Sequence, residues 1–287
     1  MRAGDFNGIG VVGAGQMGSG IAQVIAAQGF QVVLMDALKD QLCHAKNKIH
    51  KSSEKLFKKG TYSEQERKNA VENISYTQEL QSLASCDLMI EAICEKESLK
   101  KEIFSELDKI ASSQAIFASN TSAISIARLA QATSRPERFV GLHFMNPVPL
   151  MQLVEVITTI ATAEHVKERC TALVKTLKKE YSLSRDFPGF VVNRILMPMI
   201  NEAFFVLMDH ISSAEEIDKA MKLGTNQPMG PLALADFIGL DTCLSIMEVL
   251  YEGFKDPKYR PALLLRQYVD LGWLGRKTNR GVFLYQQ

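Results

Sequence analysis

The sequence predicts an α/β N-terminal domain with a mainly parallel sheet, followed by an all-α C-terminal domain. Three observations carry this. Over residues 1–186, short apolar runs rich in β-branched side chains alternate with helical patterns, which is how strand–helix–strand units and a parallel sheet read in sequence. Strand signals nearly stop after "RDFPGF". The turn Asp186-Phe187-Pro188-Gly189 offers a boundary between the halves. A chain of 287 residues also has the length of two domains at roughly 100–200 residues each.

The first element is the most informative. "GIGVVGAGQMGSGIAQVIAAQGF" is an apolar run, then Gly13-Ala14-Gly15-Gln16-Met17-Gly18, then a helix with Ile21, Val24, Ile25 and Gln28 at helical spacing, ending at Gly29. A second run, "QVVLMD", closes on Asp36, 18 residues after Gly18. A glycine triplet alone is weak, but strand, glycine loop, helix, strand and acid in this order form a dinucleotide fingerprint and a Rossmann-type domain. Gly13 allows the tight turn, Gly15 the approach of backbone to a pyrophosphate, and Gly18 close helix–sheet packing. Met17 lies in the same cofactor-facing loop. Asp36 would accept from both ribose hydroxyls and repel a 2′-phosphate, so NAD is favoured over NADP. The bland alternatives are a glycine-rich turn without a ligand and an incidental acid at a strand end.

Further strands are expected at "CDLMIEAI" (86–93), "AIFAS" (115–119), "RFVGLHF" (138–144) and "MQLVEVI" (151–157). Ligands of such sheets sit at the carboxyl ends of the strands, which draws attention to Glu95 and Lys100, to residues 120–122, and to His143. A helical insert (about 38–75) separates Asp36 from the "CDLMIEAI" run. It carries Lys46, Lys48, Lys51, Lys55, Lys58 and Lys59, with Ile49, Leu56 and Phe57 expected toward the body of the protein. Such a lysine run reads either as a solvated basic face or as a landing site for a phosphate-bearing ligand. The C-terminal domain (187–287) is expected to hold a long helix from about Phe190 to Asp209, kinked at Pro198. A helix opened by Ser213 with capping-box spacing to Glu216 should follow, then helices at about 231–254 and 261–270, and a turn with a short strand-like tail. A helical domain this small and rich in Met, Leu and Phe suggests a homodimer through its apolar faces.

Composition excludes several classes. With 46% apolar residues, 23% charged residues and a net charge of +1, nothing indicates disorder or a nucleic-acid surface. The apolar stretch beginning "FVVNRILMPMI" is interrupted by Asn193, Arg194, Asn201 and Glu202, so no membrane span is expected. Five scattered cysteines without a C-x-x-C pair fit reduced thiols in the cytoplasm and no zinc site. The opening residues run directly into the glycine motif, so no signal or transit peptide is expected.

His44, His50, His165 and His210 read as surface residues, whereas His143 sits among Leu142, Phe144 and Met145. Glu155, in "QLVEVI", stands where a buried strand wants an aliphatic side chain. A Glu–His pair would satisfy both, fix the imidazole tautomer, and leave the second nitrogen to a substrate. A tight turn over Asn146–Pro149 would set His143 opposite Gln152, however, so spacing leaves the contact open. Ser122 reads either as the cap of a helix starting near Ala123 or as a ligand contact. Asn193, early in the long helix, reads either way too.

Together, "GAGQMGSGIAQ", "ASNTSAIS", "GLHFMNPVPLMQLVEVI", "DFPGFVVNRILMPMINEA", "PMGPLALADFIGLD" and "GWLGRKTNRG" resemble the L-3-hydroxyacyl-CoA dehydrogenases, and within them the short bacterial 3-hydroxybutyryl-CoA dehydrogenases. The resemblance spans nearly the whole chain. It implies NAD as cofactor, an acyl-CoA substrate, His143 as general acid/base with Glu155 as its partner, and Ser122 and Asn193 at the reacting end of the substrate. It further implies cofactor contacts at Glu95, Lys100 and Lys277, and coenzyme A contacts at Ser52 and Lys59 in the insert. Met145, where a second Phe is usual, and the ending "RGVFLYQQ" depart from the pattern. Two alternatives stand beside it. One is a β-hydroxyacid dehydrogenase of the same plan, disfavoured because the interdomain helix offers no lysine near its start. The other is an NADH-binding protein without turnover, disfavoured by the intact set Ser122, His143, Glu155 and Asn193.

Overall fold

The computed structural model describes residues 6–285. The opening five residues and the last two, Gln286 and Gln287, lie outside it, and with them part of the expectations made for the two ends. The chain divides into two compact units, one through Asp186 and one from Phe187.

In the first unit the order is β1 (Ile9–Val12), α1 (Gln16–Ala27), β2 (Val32–Met35), α2 (Lys39–Lys58), α3 (Glu64–Glu72), β3 (Ile74–Thr77), β4 (Leu88–Glu91), α4 (Glu97–Ile110), β5 (Ile116–Ser119), α5 (Ile126–Ala130), β6 (Phe139–Phe144), β7 (Leu153–Thr158), α6 (Glu164–Thr176) and β8 (Glu180–Arg185). These strands form one sheet in the order β3-β2-β1-β4-β5-β6-β7-β8. Every neighbouring pair is parallel except β6 with β7. The first six positions are the doubly wound dinucleotide-binding order, whose switch point falls between β1 and β4. The Rossmann-type reading is thereby met.

Alternation along the strands sorts side chains onto two faces. Ile9, Val11, Ile90, Ala118, Leu142, Val154 and Val156 join Ile21 and Ile25 of α1 and Val166 and Leu173 of α6 in one core. The opposite face carries an aromatic cluster, Phe104 of α4 with Phe117 and Phe139, whose closest ring centroids are 4.5 Å apart. Two strands went unforeseen, β3 and β8, and both lie at sheet edges. In the insert, Ile49 and Leu56 are buried as expected, but Phe57 is exposed, with Arg67 over its ring.

The second unit contains α7 (Val192–Met208), α8 (Ala214–Gly224), α9 (Pro231–Ile238), α10 (Leu240–Phe254) and α11 (Leu263–Asp270). The single helix expected at 231–254 is two, because Gly239 takes φ 106° between α9 and α10. Ser213 caps α8 by accepting from the Glu216 N–H. Buried Asp236 fixes the tail, accepting from Val282 N, Phe283 N and the Tyr285 hydroxyl. The sole tryptophan of the sequence, Trp273, lies in this unit, with the Arg280 guanidinium 3.6 Å from its ring centre and Tyr268 beside it. Among the described residues no helix is long and apolar enough to cross a membrane.

Candidate active site

The carboxyl ends of β1, β2, β4, β5 and β6 carry most of the polar residues singled out from the sequence. At the β1–α1 turn, Gly13 has φ 101°, and a Cβ there would lie 2.7 Å from the Ala92 carbonyl oxygen. A Cβ on Gly18 would lie 1.7 Å from the Gly13 oxygen. Both glycines are therefore demanded by the fold. Gly15 is not: a Cβ there would meet no protein atom within 4 Å. It is the N-cap of α1, with no side chain capping the helix, so the first-turn N–H groups suit a phosphate. Asp36, just past β2, accepts from Ala14 N (2.8 Å) with one oxygen and from Leu38 N (2.9 Å) with the other. Each oxygen keeps a lone pair for a ribose hydroxyl. The loop fits the pyrophosphate and ribose of a dinucleotide.

Strand alternation brings the chemistry-bearing groups to the face shared with the aromatic cluster. Glu91 on β4 is level with Ser119 on β5, and Ser119 with Gly141 on β6. His143 follows two residues later, directly opposite Glu155 on β7. The tight-hairpin register, which put His143 opposite Gln152, is corrected here. The strands end at Phe144 and begin again at Leu153, so the chain makes an eight-residue excursion, residues 145–152, that shifts the pairing. His143 Nδ1 donates to Glu155 Oε2 at 2.8 Å, and both side chains are buried. With Nδ1 protonated, Nε2 becomes the acceptor, and the Ser122 hydroxyl donates to it at 3.2 Å. Ser122 does not cap the next helix: α5 begins at Ile126, and Ser125 is its cap.

A second buried network flanks this triplet. Lys100, fully buried on α4, reaches Glu91 at 2.6 Å and Glu95 at 3.2 Å. Glu91 also accepts from Ser119 Oγ (2.6 Å) and Ile93 N (2.7 Å). Glu95 accepts from the Thr121 hydroxyl and from Ser122 N at 2.9 Å, holding the Ser122 segment. Glu95 is the outward-facing member, while Lys100 acts inside the protein. Glu91 was missed in the sequence, although a glutamate within "LMIEAI" is the same signal that singled out Glu155.

The helix α2 of the insert carries two stripes, one buried and one basic. Leu42, Ala45, Ile49, Ser53 and Leu56 are buried along one side of α2. His44, Lys48, Lys51, Lys55 and Lys59 recur at helical spacing along the neighbouring side and line a cavity of about 680 Å³. Ser52 also lines it. Residues 146–150 of the excursion line it as well, and Asn146 accepts from Gln16 at 2.8 Å. His143 and Ser122 are not part of this cavity. Asn193 and Lys277 belong to the second unit: Asn193 is buried near the start of α7, and Lys277 contacts both oxygens of Asp241 at 2.6 Å.

Two family models match the chain: the NAD binding domain of 3-hydroxyacyl-CoA dehydrogenase over residues 8–186, and the C-terminal domain of 3-hydroxyacyl-CoA dehydrogenase over residues 189–285. The chain belongs to the 3-hydroxyacyl-CoA dehydrogenase family. As a member of that family it is an NAD-dependent oxidoreductase. The 3-hydroxybutyryl-CoA dehydrogenase of Bradyrhizobium diazoefficiens is 54% identical to it, over 97% of this chain and 95% of that one. The mitochondrial hydroxyacyl-coenzyme A dehydrogenase of Sus scrofa is 42% identical, over 96% of this chain and 90% of that one. The crystal structure of (S)-3-hydroxybutyryl-CoA dehydrogenase from Ralstonia eutropha is 48% identical, with a TM-score of 0.95 over 99% of this chain and all of that chain.

Proposed function

We propose that this 3-hydroxyacyl-CoA dehydrogenase interconverts (S)-3-hydroxybutyryl-CoA, and similar short-chain esters, with acetoacetyl-CoA. The observation that carries the reading is the buried His143–Glu155 pair, with Ser122 at the other imidazole nitrogen. In the oxidative direction His143 Nε2 takes the proton of the 3-hydroxyl. Glu155, accepting from Nδ1–H, stabilises the imidazolium so formed. NAD, held by the glycine loop and Asp36, would supply the acceptor for the hydride that leaves C3. The Ser122 hydroxyl, within reach of the same Nε2, turns toward the substrate oxygen and donates to it as the carbonyl develops. In reduction His143 returns the proton. Asn193 is assigned to the reacting end of the substrate by family resemblance, and Lys277 and Glu95 to the cofactor; Lys100 holds Glu95 from inside the protein, and Met17 is assigned to the cofactor by its place in the glycine loop. The basic stripe of α2, with Ser52 and Lys59, suits the phosphates of coenzyme A, and the apolar wall of the cavity suits its pantetheine arm.

The test is consumption of NADH with acetoacetyl-CoA, run beside acetoacetate and beside NADPH. Turnover with acetoacetyl-CoA and NADH, and little with either control, is expected. Equal rates with free acetoacetate would overturn the role of the coenzyme A cavity. Two further readings go with this one. Cytoplasmic residence is supported by five free cysteines. A homodimer through the helical unit is supported by exposed apolar side chains there, among them Ile211, Leu223, Leu263 and Leu271. Sedimentation at the mass of a single chain would rule out the dimer.

A further inference from the structure

Lys179 is the residue immediately before β8, and it is 7% exposed. Its ammonium has no carboxylate partner among the described residues. Instead it donates to two carbonyls of the 145–152 excursion, Val148 at 2.7 Å and Met151 at 2.6 Å. Desolvation lowers its pKa to about 8. A cation buried without a counter-charge is costly, and an apolar side chain would fill the space at lower cost. Something in the excursion therefore requires its donors.

The requirement is visible in the backbone. A two-residue hairpin would pair its own carbonyls. The eight-residue excursion does not close that way: Leu150 and Met151 both donate to the single carbonyl of Pro147. This leaves the buried Val148 carbonyl to a side-chain donor, and the same ammonium also takes the part-buried Met151 carbonyl. Lys179 is itself fixed from behind, its N–H donating to Val174 at the end of α6. On its other side the excursion packs on α1, with Val148 so close to Gly20 that a Cβ there would lie 2.9 Å from it. Lys179 thus pins the segment whose Asn146, Pro147, Val148 and Leu150 line the same cavity as the lysine stripe.

We propose that Lys179 is a positioning residue for the acyl-CoA substrate: its ammonium, bound to the Val148 and Met151 carbonyls, sets the wall of the coenzyme A cavity. The inference rests on the activity proposed above. Lys179 itself touches neither the glycine loop nor Asp36; the excursion meets the loop through Asn146, which accepts from Gln16, so the nucleotide end should depend on Lys179 less than the coenzyme A cavity does.

The experiment is steady-state kinetics of the wild type, Lys179→Met and Lys179→Arg, with acetoacetyl-CoA and NADH each varied. In Lys179→Met the KM for acetoacetyl-CoA should rise about tenfold or more, as expected when binding must first order a wall segment. The KM for NADH should stay within about twofold, and Lys179→Arg, which keeps charge and donors, should lie between the two. A Lys179→Met enzyme that melts lower with both KM values unchanged would overturn the proposal, as would a parallel rise in both. If Lys179→Met does not fold, Lys179→Arg must itself show the selective rise, and its absence overturns the proposal. A wild type that does not turn over acetoacetyl-CoA sinks the activity and this inference together. Normal wild-type turnover with an unselective variant sinks only the role of Lys179.

Discussion

His143 has different partners at its two ring nitrogens, and this separates two predictions. His143→Gln removes the proton acceptor but leaves the glycine loop and Asp36 untouched. NADH affinity, followed by fluorescence titration, should hold, while kcat falls by about 10²–10⁴-fold. An active variant would sink the assignment. Glu155→Gln keeps a hydrogen-bond acceptor beside Nδ1 but removes the anion that favours imidazolium. The rate should fall while NADH affinity holds; an unchanged rate would count against the pair. The residue identities were legible because each interrupts an apolar strand with a group that needs a partner. Their contact was not, since it depends on the length of the 145–152 excursion, and nothing in "NPVPLMQ" states how far it extends. Lys179 was equally hidden: in "TLKKEYS" it looks like any surface lysine, and its burial follows from where α6 delivers the chain.

At the scale of elements, the β1–α1 turn separates what folding needs from what a ligand needs. Gly18→Ala would drive a methyl into the Gly13 carbonyl and should give insoluble or strongly destabilised protein. Gly15→Ala meets no protein atom and has an ordinary backbone, φ −67°. Its melting temperature should therefore stay near wild type while NADH affinity drops at least about tenfold, because backbone approach to the pyrophosphate is blocked. Equal NADH affinity in Gly15→Ala would argue against that contact. The turn was fully legible, since its glycines, helix and acid occur at fixed spacing. The edge strands were not. β3 and β8 have one unpaired side each and many partly exposed residues, so "ISYT" and "EYSLSR" lack the apolar alternation that marked the central strands. The break between α9 and α10 could have been read from Gly239, since helical periodicity continues across "DFIGLDT" while the backbone does not.

Across the whole molecule, stability should carry the imprint of Lys179. Its folded-state pKa of about 8 lies below its ordinary 10.5. As pH rises between these values the native state has released the proton while the unfolded state still holds it, so this group makes the protein more stable with increasing pH. From about pH 7.5 to about pH 9.5 the wild type should gain roughly 1–2 kcal/mol relative to Lys179→Met in paired urea titrations. A constant difference across that range would show that the lysine keeps its charge. The change from strand-rich to strand-poor sequence at Asp186 was readable because composition changes where the architecture does. The single tryptophan turns that division into an optical one. Trp273, lying under Arg280 in the helical unit, emits for that unit alone, whereas the first unit has tyrosines, such as Tyr62, Tyr76 and Tyr181, and no indole. Denaturation followed by tryptophan emission therefore watches the helices. If a milder lesion in the sheet, such as Phe117→Leu in β5, also shifts the tryptophan transition, the two units unfold as one cooperative body; an unshifted transition makes them separate folding units.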